Sequence, residues 1–101
     1  MYIHAVMFRW KESASAAAIA AVMHEFQAFE GRLPGLVEIT SGTNVASRNS
    51  QGFTHGAVLK FQDRAALDAY SPHPTHQKLL STLLPLLAEA AELDYEIGRG
   101  S

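Results

Sequence analysis

The chain has 101 residues, a formal net charge of −2 and no cysteine. That length allows one hydrophobic core and no roomy enclosed cavity, so a single domain over 1–101 is expected, and a subunit this small often gains buried surface from a partner. The near balance of charge, with no Lys/Arg cluster, argues against nucleic-acid and anionic-lipid surfaces, and the lack of cysteine removes disulfides, thiolate nucleophiles and sulfur-ligated zinc.

Ile3 to Trp10 is rich in β-formers, with His4, Val6, Phe8 and Trp10 on one face and Ile3, Ala5 and Met7 on the other. Both faces are largely apolar, which predicts a strand covered on two sides. From Ser15 to Glu30 the period becomes helical: Ile19, Val22, Met23, Phe26 and Phe29 recur every three or four residues, Ser13 or Ser15 can cap the start, and Pro34-Gly35 is the expected stop. Leu36 to Gly42 reads as a short strand near an edge, and the polar stretch Thr43 to Gly52 as a mobile loop. Strand character returns over His55 to Phe61, where His55, Ala57, Leu59 and Phe61 share a face. Asp63 can cap a short helix carrying Ala66, Leu67 and Tyr70.

The segment Tyr70-Ser-Pro-His-Pro-Thr-His76 packs two imidazoles and a phenol into a turn stiffened by Pro72 and Pro74. Read locally, His-Pro-x-His caps and turns. The chemical reading is that a rigid corner holds still two groups whose ordinary pKa lies near neutrality, suited to proton transfer or metal ligation. A further helix, Gln77 to Leu87, carries Leu79, Leu80, Leu83, Leu84 and Leu87, with Pro85 expected to loosen its last turn. Leu93 to Gly98 closes the chain as a strand.

The order strand, helix, strand, strand, helix pair, strand predicts an α+β fold: a ferredoxin-like split βαβ sandwich with a four-stranded antiparallel sheet. Its first and third strands are expected side by side at the centre and parallel, which would place His4 and His55 at one end of the sheet beside the Tyr70–His76 corner. The helices can cover one sheet face only, so Ala5, Met7 and Val58 require a second copy, and a homodimer closing into an α/β barrel is expected. No leader and no apolar run of membrane-spanning length appears, so a soluble, cytoplasmic protein is expected, without membrane or nucleic-acid partners.

Ile3-His-Ala-Val-Met-Phe-Arg-Trp10, Leu33-Pro-Gly-Leu36, Gly42-Thr-Asn44, Thr54-His55, Tyr70-Ser-Pro-His-Pro-Thr-His76 and Leu93-Asp-Tyr95 follow one another in the chain. With this ordered set the chain resembles the stress-responsive dimeric α/β-barrel (Dabb) family over nearly its whole length. The resemblance implies small dimers whose sheets join into a barrel. Family function is less uniform: it includes stress-associated plant proteins, bacterial members of unknown role and a plant polyketide cyclase that closes a ring by aldol condensation. Matched position by position, the working residues of the cyclase correspond to Tyr70, His76, His4 and His55, while His73 matches a histidine closer to a structural role.

The resemblance thus implies a cofactor-free lyase or cyclase in which neutral His76 removes a proton beside a carbonyl and the Tyr70 hydroxyl steadies the enolate, with no metal or redox cofactor. Val6, Phe8, Val22, Phe26, Leu79, Leu80 and Leu83 would line an apolar cavity for an aromatic, polyketide-like or acyl ligand. The same residues at the same spacings are also what a small core requires. Val22 and Phe26 stand where the cyclase has larger aromatic residues, so its substrate does not carry over. Two other functions stay open: a non-catalytic stress or structural dimer, and a cofactor-free monooxygenase of the related dimeric barrels. Metal binding by His4, His55, His73 and His76 lacks a ligand-spacing motif.

Overall fold

The computed structural model describes residues 1–98; the last three residues of the expected domain, 99–101, lie outside the described residues. Seven elements follow in order: β1 (Tyr2–Trp10), α1 (Ala16–Gln27), β2 (Leu36–Thr43), β3 (His55–Phe61), α2 (Arg64–Tyr70), α3 (Pro74–Leu83) and β4 (Leu87–Glu96). The strands form one antiparallel sheet in the order β2-β3-β1-β4 with all helices on one face, a ferredoxin-like α+β arrangement.

The central pair corrects one expectation. β1 and β3 are adjacent but antiparallel, His4 pairing with Leu59 and Phe8 with His55. The α1 crossover brings β2 back in the direction of β1. The loop after β2 then reverses the chain, so β3 inserts between them pointing the other way. His55 therefore sits four residues along β1 from His4, about 14 Å away at roughly 3.4 Å per residue.

Local chemistry sets the helix starts. Ser15 Oγ accepts from the Ala18 amide at 3.1 Å, and Asp63 Oδ1 accepts from the Ala66 amide at 2.8 Å, each satisfying an amide that the first turn leaves without a partner. α1 ends at Gln27, before the Pro34-Gly35 stop, and tight turns carry the chain to Leu33. Gly35 has φ of 77°, and a Cβ there would collide with that of Ala66, so only glycine lets the turn approach α2 so closely. α3 ends at Leu83, before Pro85, and β4 begins six residues earlier than the expected Leu93. The loop between β2 and β3 is tied by Asn44, whose side chain donates to the Phe53 carbonyl and accepts from the Ala46 amide.

Alternation along β1 and β3 appears directly in burial. Val6, Phe8, Ala57, Leu59 and Phe61 face the helices and pack with Val22, Phe26, Phe29, Tyr70, Leu79 and Leu83 in one core. Burial of each large apolar side chain contributes about 1.5–3 kcal/mol. The opposite face is bare: Met7 is 45%, Val58 41%, Leu93 60% and Tyr95 49% exposed. Among the described residues no helix is long and apolar enough to cross a membrane.

Candidate functional site

The corner between α2 and α3 is built by backbone rules. Pro74 opens α3, where its missing N–H costs no helical hydrogen bond, and His73 caps the helix, its Nδ1 accepting from the Thr75 amide at 3.1 Å. That hydrogen bond assigns His73 to the turn. His76 lies one turn into α3 with its Nδ1 2.9 Å from the Ser71 carbonyl oxygen, which also accepts from Gln77 Nε2 at 2.7 Å. A carbonyl only accepts, so His76 carries its proton on Nδ1 and leaves the Nε2 lone pair free.

Tyr70, the last residue of α2, is buried against two imidazoles, its ring centroid 4.5 Å from that of His76 and 5.4 Å from that of His4. Among the described residues its hydroxyl makes no hydrogen bond, so the O–H is free to serve a ligand. His4 comes from the helix-facing row of β1, and its Nδ1 is 2.5 Å from Oδ1 of Asp94, which lies opposite it on β4. The carboxylate accepts, which puts a ring proton on Nδ1.

Burial lowers the His76 pKa from its ordinary value of 6.5, outweighing the opposing pull of the Ser71 carbonyl. Burial raises the Tyr70 pKa, and the charge of Glu92 on β4 adds to the rise. At neutral pH the pair is therefore an uncharged imidazole and an intact phenol, a base and a hydrogen-bond donor side by side.

Of the four expected site residues, the fold brings His4, Tyr70 and His76 together and leaves His55 out. His55 sits at the other end of β1, where Trp10 Nε1 donates to its Nδ1 at 3.0 Å and Thr54 Oγ1 lies 2.9 Å from the same nitrogen. Asp94 is the residue that sequence reading passed over. Apolar alternation would turn Leu93 and Tyr95 towards the helices, and only the register with β1 shows that Asp94 lies on the helix-facing side, opposite His4.

The residues expected to line an apolar cavity form one core cluster. Val6, Phe8, Val22, Phe26, Leu79 and Leu83 are buried core residues packed on one another, and Leu80 packs partly buried against them. The described residues form hollows elsewhere: one of about 440 Å³ on the bare sheet face beside Met7, Gly42, Gly56 and Val58, and one of about 270 Å³ between α1 and α3. Among the described residues no three His, Asp or Glu side chains are grouped to hold a metal ion.

The sequence model of the Stress responsive A/B Barrel Domain matches residues 3–97. The chain belongs to the Dabb family. Its fold is shared with a dimeric ferredoxin-like protein of unknown function from Jannaschia sp. CCS1, which is 30% identical with a TM-score of 0.83 over 95% of this Dabb chain and 98% of the other. A protein of Arabidopsis thaliana superimposes with a TM-score of 0.90 at 22% identity, covering 100% and 99% of the two chains. The hydroxynitrile lyase of Passiflora edulis gives a TM-score of 0.88 at 20% identity, covering 99% and 95%. These last two likenesses establish the fold of the Dabb chain and not its chemistry. No curated protein matches it in sequence.

Proposed function

We propose that this Dabb protein is a homodimer in which His76 acts as a general base and Tyr70 as a hydrogen-bond donor on an aromatic or acyl carbonyl compound, making or breaking a carbon–carbon bond without metal or redox cofactor. The observation that carries the reading is the tautomer of His76: with Nδ1 tied to the Ser71 carbonyl, the Nε2 lone pair is free, and the ring packs 4.5 Å from that of a phenol with no protein partner among the described residues. In an aldol closure, His76 Nε2 takes the proton alpha to a carbonyl, and the Tyr70 O–H donates to the oxygen of the resulting enolate. The enolate carbon then bonds to a second carbonyl carbon, and the alkoxide formed recovers the proton from the imidazolium. The lyase direction is the reverse: the leaving carbanion takes its proton from the imidazolium. His4, held by Asp94, packs against the Tyr70 ring and helps to fix its position.

The bare sheet face supports the dimer. A second copy closing over Met7, Val58, Leu93 and Tyr95 at a standard interface of roughly 800 Å² per partner gains many kcal/mol gross at about 25 cal/mol per Å² of apolar area. The dimeric protein from Jannaschia sp. has the same fold. Sedimentation of the wild-type chain at micromolar concentration is expected to give a dimer, and Val58→Asp a shift towards monomer. A folded wild-type monomer under those conditions would overturn the pairing.

A second reading, a non-catalytic stress-associated dimer, is favoured by the filled core beneath the helices. Proton exchange separates the two without a known substrate. Acetophenone in D₂O, followed by NMR, is expected to lose its methyl protons faster with the wild-type protein than with His76→Ala. Equal rates for the wild type, the variant and buffer would leave only the structural dimer standing.

A further inference from the structure

The hollow of about 270 Å³ between α1 and α3 has a floor of Phe29 and Leu79 and a rim of Glu25, Arg32, Thr75 and Lys78. Thr75, Lys78 and Leu79 fall at spacings of three and four on α3, so they share one face. Arg32 reaches the rim from the turn beyond α1, where Gly31 at φ of 76° redirects the chain and the Arg32 amide donates to the Phe29 carbonyl at 2.9 Å. Among the described residues neither Arg32 nor Lys78 has a carboxylate within ion-pair distance, the pairs formed being His4–Asp94, Arg9–Glu89 and Arg64–Asp68. Two unpaired cations thus converge on an apolar floor in a chain whose net charge is negative.

This hollow shares the ring of Phe29 with the proton-transfer cluster, whose Tyr70 and His76 lie beyond its lining. Phe29 presents its ring at 71° to that of Tyr70 with centroids 6.2 Å apart, and Thr75 immediately precedes His76. We propose that the hollow anchors the carboxylate of an aryl or acyl keto acid on Arg32 and Lys78, its apolar body lying over Phe29 and Leu79 and its carbonyl end reaching Tyr70 and His76. This inference rests on the proposed proton-transfer function and names the substrate class of that site. Glu25 sets the charge it accepts: one carboxylate against two cations leaves a single positive charge, which matches a monoanion better than a dianion. Thr75 adds a hydroxyl that can donate to the same head group.

The test uses 1-naphthoate, its neutral methyl ester and 1-naphthyl phosphate as probes, titrated into the ¹⁵N-labelled wild-type protein. Naphthoate is expected to shift the amide signals around Arg32, Thr75 and Lys78. Replacing both cations, R32Q with K78Q, is expected to weaken it about tenfold, the loss of one to two charge-assisted contacts at a solvated rim. The ester should bind weakly and respond little to the same variant. Both cations are exposed, so the double variant should fold as the wild type does. Naphthoate and ester binding alike, shifts confined to the bare sheet face, or the phosphate binding tighter than the carboxylate would each overturn the assignment. Binding is read here without turnover: a failed anchor leaves the acetophenone exchange result intact, and failed exchange leaves the titration intact.

Discussion

At the two ends of β1, the Nδ1 atoms of the histidines play opposite hydrogen-bonding roles. At the Tyr2 end, His4 and His76 carry a proton on Nδ1, donating to Asp94 and to the Ser71 carbonyl, and the Nε2 lone pair of His76 is free. At the Trp10 end, the indole N–H can only donate, so His55 accepts on Nδ1 and carries its proton on Nε2. Residue type alone would make all three equivalent. What differs is the partner: an acceptor behind the ring exposes a base, whereas a donor behind it uses the lone pair up. The first end presents a free imidazole nitrogen and the second fastens a strand end to its neighbour.

The largest expected separation between the ends is catalytic. His76→Gln should slow acetophenone exchange by about 10²–10⁴-fold, the usual contribution of a positioned base, while His55→Gln should leave the protein-dependent rate within about twofold. Comparable losses in both would erase the contrast. Next, Tyr70→Phe should lower the rate by about 10²-fold, the loss of one donor to a developing oxyanion. It should leave the urea midpoint nearly unchanged, because the hydroxyl has no protein partner among the described residues to lose.

Trp10→Phe inverts that pattern: it keeps an aromatic ring but removes the indole donor to His55, costing about 1 kcal/mol in urea unfolding with no change in exchange. A rate loss in Trp10→Phe would mean that the two ends are coupled through β1. The smallest effect is that of pH. Because the folded-state pKa of His76 lies below the ordinary 6.5, the unfolded chain binds more protons as the medium is acidified below that value. The stability contributed by neutral His76 is therefore present above pH 6.5 and is lost as the pH falls through the folded pKa. The exchange rate should fall over the same interval, and a His76→Gln background should flatten that part of the stability profile.

Much of this was legible in the residues. Alternation along His4, Val6, Phe8 and Trp10 identified the helix-facing side of β1, Ser15 and Asp63 marked two helix starts, and the bounds of β3 were read as they stand in the fold. Three things were hidden for physical reasons. The direction of β3 depends on how the β2–β3 loop reverses the chain, which side-chain periodicity does not encode, and His55 was misplaced with it. The run Leu87-Ala-Glu-Ala-Ala-Glu92 favours helix by intrinsic propensity, yet pairing with β1 holds it as a strand. And Val22, Phe26 and Leu79 are equally suited to walling a void or filling one, a choice that only their packing settles.

The Ser71 carbonyl that orients His76 belongs to the main chain, which no side-chain replacement can delete. The readiness of that imidazole to receive a proton is therefore encoded in the spacing from Ser71 to His76 and in the prolines that hold the path between them. Evolution could retire it by inserting or removing one residue in this corner while leaving every histidine in the chain in place.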